Sequence, residues 1–265
     1  MSFLEAWAKR MTPEPFREFL PYVSPSALRI MHTDAVLSRA LSIAAGKFRS
    51  SELRARSESL RAILNSGSLD SRIRIVEAIE PAFSLGDPKK RESEIRREIG
   101  ERVLELYFRM TCAGGPLFLD LRPTNFGWRD GFLEFAPPAI SLLPDEDFTK
   151  RVADLYAGFY LHDETRFRRG MELYAWKCKP RDGYLERLHG MLREHFGAAE
   201  RGTMQFEIAN FRATFHQIFV AATEERAKFH PDLAFLGAAL VGVYLTLGAL
   251  DIDVSPYAAY SRAVP

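Results

Sequence analysis

Cysteine is scarce in this chain: there are two in 265 residues, Cys112 and Cys178. Two are too few for a disulfide framework, and their scarcity fits a reducing compartment. Neither sits in an activating motif, so both read as small buried apolar residues. The six histidines, at 32, 162, 189, 195, 216 and 230, form no zinc-ligand spacing with cysteine or acid. They read as surface or polar-core residues. No G-x-S-x-G or H-E-x-x-H string occurs, which removes those hydrolase readings. A charge excess is missing too. The 36 basic and 35 acidic residues leave a formal net charge of +1, so nothing draws the whole chain towards nucleic acid or an anionic membrane. The opening MSFLEAWAKRMTPEPF carries charges inside its apolar run and is not a signal peptide. The expected localisation is cytoplasmic, with no nucleic-acid partner.

Long apolar runs are also rare. Residues 233–250, LAFLGAALVGVYLTLGAL, are uncharged and reach the lower edge of what spans a bilayer. Asp232 and Asp251 flank the run without a Lys or Arg cluster beyond. Gly237, Gly242 and Gly248 permit tight helix packing, and a buried core helix is the expectation.

What the chain does have is helical period. With 47% hydrophobic residues it can bury a sizeable core. SSELRARSESLRAILN, 50–65, sets Leu53, Leu60, Ile63 and Leu64 roughly along one face. SRIRIVEAI, 71–79, is β-branched and partly alternating, and predicts a strand. Residues 92–112 return to helix through Ile95, Ile99, Val103, Leu106, Tyr107 and Met110, and Ala113-Gly114-Gly115-Pro116 stops it. Two helices broken near His162-Asp163 are expected between 147 and 176, and helices dominate from 183 onwards. The fold class is mostly α with a minor β component. A Pro/Gly/Lys loop near 80–92 marks a boundary between a short part, 1–80, and a long helical part, 81–265.

The stretch 118–138, FLDLRPTNFGWRDGFLEFAPP, carries the chemistry. Asp120, Asn125 and Glu134 lie along a strand–loop–strand path that turns at Arg129-Asp130-Gly131. Phosphoryl-transfer sites use such a set. A loop Asp orients or deprotonates a hydroxyl, an Asn on the same loop holds one metal, and a second acid holds the metals bridging the phosphates. Mg²⁺ takes oxygen ligands, which Asp, Asn and Glu provide. The bland alternative is that Asp120 and Asn125 bond their own loop backbone and Glu134 is a solvated edge residue.

The string F-L-D-L-R-P-T-N resembles the H-A-D-P-H-P-G-N catalytic loop of the UbiB/AarF family of atypical protein-kinase-like proteins, with Asp120, Pro123 and Asn125 coinciding. EIGERVLELYFRMTCAGGPLFLD resembles the family's helix into that loop. SRIRIVEAIEPAFSLGD resembles its hinge strand, with Glu77 in the acid position. The segment from FLEFAPP onwards and the run ending Leu250-Asp251 resemble later parts of the family, so the likeness extends over roughly 71–260. It implies a protein-kinase-like C-lobe with a truncated N-terminal lobe and Mg-ATP as cofactor. Asp120 would be catalytic, and Asn125 and Glu134 would hold the metal. The chain departs from the pattern at Glu134-Phe135-Ala136 in place of Asp-Phe-Gly, and at Phe118 in place of the loop histidine. The upstream Lys-x-Gly-Gln signature and alanine-rich nucleotide loop are missing. AAGKF at 44–48 is the nearest string, which makes Lys47 the candidate phosphate-contacting lysine, with Glu52 or Glu58 as its ion-pair partner.

The functional expectation is a pseudokinase or weak Mg-ATPase supporting another pathway, with isoprenoid-quinone lipid metabolism implied by the resemblance. The alternative is a non-catalytic interaction or scaffold protein that keeps the fold without nucleotide binding. Nucleotide and a protein partner are the ligands to look for. The stripe Phe206, Phe211, Phe215 and Phe219 reads as core, with a lipid-accepting groove or peripheral membrane contact as its minor alternative. Arg166-Phe167-Arg168-Arg169 reads as a solvated basic face.

Overall fold

The structure is a computed structural model. It describes residues 30–46, 50–66, 71–179, 183–196 and 202–264, without the side chains of Gly46 and 193–196. Its axis is helix α3, Ser93–Cys112, numbered after α1, Thr33–Gly46, and α2, Ser50–Asn65. The apolar positions of α3 recur at three- and four-residue steps, and Ile99, Val103, Leu106, Tyr107 and Met110 are all buried. The helix stops where Gly114 takes φ +75, a left-handed angle that favours glycine.

Helix α4, Glu146–Tyr160, starts at Asp145, whose side chain accepts the Phe148 N–H. It ends just before His162, at φ 59, and Asp163 then caps α5, Glu164–Met171, by accepting the Arg166 N–H. The break near 162–163 therefore lies where the sequence reading puts it. The basic run on α5 is not simply solvated. The Arg166 and Arg169 Nε atoms lie 2.8 and 3.1 Å from the two oxygens of buried Asp154 on α4. Helix α6, Tyr184–Phe196, and α7, Ile208–Glu224, follow. The phenylalanine stripe packs inwards: the Phe206 and Phe211 rings lie 4.9 and 5.0 Å from the Tyr244 ring.

Helix α8, Leu233–Leu250, is the apolar run. Among the described residues it alone is long and apolar enough to cross a bilayer, and 67% of it is buried inside the fold. Its glycine at 242 lets it meet the chain at Leu121, where an added Cβ would lie 2.7 Å from the Leu121 nitrogen. Helix α9, Pro256–Ala263, packs back on α3.

The β component is small. β3, Phe126–Arg129, and β4, Phe132–Phe135, form an antiparallel hairpin, and β1, Ile73–Ile75, pairs parallel with β4. β2, Leu117–Phe118, pairs with β5, Ser141–Leu142, and β6, Met204–Gln205, pairs with β7, Asp253–Val254. The strand predicted over 71–79 is thus three residues long. Its partner explains the length: the Val76 N–H bonds the Phe135 carbonyl, and Pro137-Pro138 then end any ladder on that side. β1 belongs to the segment 1–80, yet it hydrogen-bonds to β4 from the later segment. Both cysteines are half-buried rather than fully buried. Burial pushes the Cys112 thiol up to about 12, so it is not a thiolate near neutral pH.

Candidate functional site

The loop from Asp120 to Asn125 is held from both sides. Upstream, the Leu119 N–H bonds the Ile140 carbonyl. Beneath it, the Thr246 hydroxyl of α8 donates to the Leu121 carbonyl at 2.6 Å. Pro123 fixes the backbone for a single 3₁₀ turn, Pro123–Asn125, and the Asn125 N–H closes on the Arg122 carbonyl. The Asn125 Nδ2 then donates to the Asp120 carbonyl at 3.0 Å. The amide and the acid expected to act together are therefore neighbours.

Asp120 is 7% exposed. Arg122 clasps it in bidentate fashion, with Nε at 2.7 Å from Oδ1 and Nη2 at 2.6 Å from Oδ2. The Arg122 backbone N–H also donates to Oδ1 at 3.2 Å. Burial pushes the Asp120 carboxyl above the usual carboxylate range, against the pull of the Arg122 N–H and the Asn125 amide.

Glu134 lies on β4 opposite Gly127 of β3 and beside Arg74 of β1. The hairpin register sets Ala136, not Glu134, against Asn125: the Ala136 N–H bonds the Asn125 carbonyl at 3.0 Å. Glu134 is 1% exposed, and its Oε1 sits 2.5 Å from Arg129 Nη2. Arg129 also donates to Glu80 at 2.8 Å and lies over the Phe83 ring. These carboxylates, Glu80 ahead of Glu134, raise the Arg129 guanidinium above its ordinary value. The segment 79–84 covers this acid. An added Cβ at Gly127 would meet Ile79 at 3.0 Å, the Phe83 carbonyl at 3.2 Å and Glu134 Oε2 at 3.4 Å. Glu134 is a buried sheet residue, not a solvated edge residue.

Glu77 is exposed in the bend after β1. Lys47 lies outside the described residues. Its expected partners already have arginines one turn along α2: Glu52 lies 3.6 Å from Arg56, and Glu58 pairs with Arg61. Among the described residues no group of three or more His, Cys, Asp or Glu is arranged to hold a metal ion. The donor set itself suits Mg²⁺ poorly. A cation at Asp120 or Glu134 would have to displace a guanidinium from each. The sequence reading missed Arg122 and Arg129, although both stand inside the quoted stretch. The signal was an arginine two residues from Asp120 and another at the hairpin turn, five residues before Glu134.

No protein-family model matches this chain, and no curated protein matches it. Among solved structures it is similar to Rv3197 from Mycobacterium tuberculosis, solved as a complex with erythromycin. The TM-score is 0.57 at 17% identity, over 99% of this chain and 68% of that one. The likeness is one of fold.

Proposed function

We propose that the chain is a UbiB/AarF-like, kinase-like C-lobe with a reduced N-terminal lobe that works as a pseudokinase. On this reading it supports another pathway by binding a partner, and it does not transfer phosphoryl groups. One observation carries the reading: the two acids that would serve Mg-ATP each face an arginine of the same stretch. Arg122 is clasped to Asp120 by two hydrogen bonds, and Arg129 stands in charge contact with Glu134, whose buried Oε1 completes no hydrogen bond. A phosphoryl-transfer site needs those oxygens for metal and nucleophile. Here they are neutralised in advance.

A weak Mg-ATPase is the second reading, favoured by the Asn125–Asp120 hydrogen bond, which orders the loop as a working site would require. Thermal unfolding with Mg-ATP separates the two. A ligand at about 100 Kd stabilises the native state by about 2.7 kcal/mol, a shift of several degrees for a chain of this size. A partner-binding protein that keeps the fold without nucleotide binding expects an unmoved midpoint in the wild type. A clear upward shift, abolished by Asn125→Ala and accompanied by phosphate release from ATP, overturns that reading in favour of the ATPase. A shift that appears only in Arg122→Ala would show that the clasp is what excludes nucleotide.

A further inference from the structure

Two arginines fasten the N-terminal helices to the body. Arg39 of α1 donates Nε and Nη2 to the two oxygens of Asp232, at 3.1 and 2.9 Å. Asp232 is 1% exposed at its side chain, so this anchor is rooted inside the fold. Arg56 of α2 donates Nη1 to the Ser141 carbonyl at 2.6 Å and to its hydroxyl at 2.8 Å. Between the two fastenings, α1, α2 and the end of β5 do not close on one another. A cavity of about 320 Å³ remains, with Arg39, Ser42, Arg56, Ser141 and Leu143 in its lining.

The size falls at the lower end of small-ligand sites, roughly 300–1,000 Å³. The lining is two guanidiniums and two hydroxyls over an apolar floor that includes Ile43 and Leu142. A guanidinium has five N–H donors. Arg39 commits one N–H of Nε and one of Nη2 to Asp232, and Arg56 uses Nη1 on Ser141, so each keeps donors beyond its anchoring bonds. Forked donors of this kind match phosphate and carboxylate oxygens. Two features oppose an anion: Glu52 lines the cavity 3.6 Å from Arg56, and the Arg39 charge is shared with Asp232 and, at longer range, Asp145. The Glu52 side chain is 36% exposed and lies one turn from Arg56 on α2.

We propose that this seam binds a small oxyanion, a phosphate- or carboxylate-bearing metabolite, between Arg39 and Arg56. The bound anion bridges α1 and α2 across the body. It needs no metal and does not involve Asp120 or Glu134, so the site stands or falls separately from the Mg-ATP question.

The test is calorimetric titration of the full chain without Mg²⁺, at ionic strength held constant with chloride. Inorganic pyrophosphate is titrated in one arm and citrate in the other. One of them binds at one site per chain, pyrophosphate marking a phosphate ligand and citrate a carboxylate ligand. Arg56→Gln weakens that binding by about tenfold or more, about 1.4 kcal/mol. Glu52→Gln tightens it several-fold, and Asp120→Asn leaves it unchanged. The proposal is overturned if neither anion binds, or if Arg56→Gln binds as the wild type does. Should Arg56→Gln fail to fold, Leu143→Trp decides. Leu143 is 60% exposed at the rim, so the bulkier ring narrows the mouth without entering the core. Binding undiminished in that variant sinks the proposal.

Discussion

Glu105 and Asp120 are both buried acids held by arginine, but their partners come from very different places. Glu105 of α3 faces Arg102 at 2.8 Å and Arg109 at 3.1 Å on its own helix, and Arg262 of α9 at 3.6 Å. Arg109 also donates to the Arg262 carbonyl, so the cluster ties α9 to α3. Asp120 is held by the residue two positions on, and Glu134 by one five positions back. The Asp120 pair joins nothing distant, whereas Arg129 also reaches Glu80 and Phe83 and ties the hairpin to residues 79–84. The same chemistry fastens two helices at Glu105 and only neutralises charge at Asp120, which is why the Asp120 pair bears on function and the Glu105 cluster on stability.

The largest expected effect is at Glu105. Glu105→Ala leaves Arg109, 4% exposed at its side chain, buried without its carboxylate. Breaking a buried pair in this way costs about 3–5 kcal/mol, read as a fall in the urea midpoint. Asp120→Asn should cost about 1 kcal/mol or less, because Arg122 is 32% exposed and rehydrates. Equal losses in the two variants would erase the distinction drawn between them.

Next is the tertiary hold on the Asp120 loop. Thr246→Val removes the hydroxyl that satisfies the Leu121 carbonyl and leaves that buried oxygen unpaired. The expected loss is about 1–3 kcal/mol by denaturant unfolding. A loss near zero would mean that the loop is held by its local bonds alone.

The smallest effect concerns a buried titratable group that forms no ion pair with an arginine. His230 is 6% exposed, its ring set against Phe148 and Trp176, and its Nδ1 accepts the Asp232 N–H at 3.1 Å. Burial lowers its pKa below the ordinary histidine value. Asp232, Asp145 and Asp147 pull it upwards, and Arg39 adds to the lowering. The unfolded chain therefore binds this proton at a higher pH than the folded one. Stability is fully present above about pH 6.5 and is lost as pH falls through the folded value, with a slope of at most about 1.4 kcal/mol per pH unit. Urea midpoints between pH 5 and 8 should show the fall, and His230→Gln should flatten it. An unchanged slope in that variant assigns the effect to the carboxylates.

Much of the helical frame was legible in the sequence because it depends on neighbours in the chain. The three- and four-residue steps of α3 marked its buried face, and Asp145 and Asp163 cap α4 and α5 through bonds spanning three residues. The hairpin turn was legible for the same reason: Asp130 and Gly131 take φ 53 and 78, as their residue types allow. β1 was less so, since its length depends on where β4 ends. The candidate acids were legible by type and spacing, but not their partners. A sequence shows Arg122 and Arg129 beside Asp120 and Glu134 without showing that the loop and hairpin turn each guanidinium onto its acid.

By itself, then, the sequence determined the long helices, the hairpin and the apolar character of α8, because each follows from backbone preference and periodicity within about twenty residues. The tertiary structure decided the rest. It seated Leu121 against Gly242 and Thr246, shut Glu134 beneath residues 79–84, and left an arginine-lined gap where α1 and α2 meet β5. These outcomes depend on which surfaces exclude water together, and that is set only when segments far apart in the chain are packed.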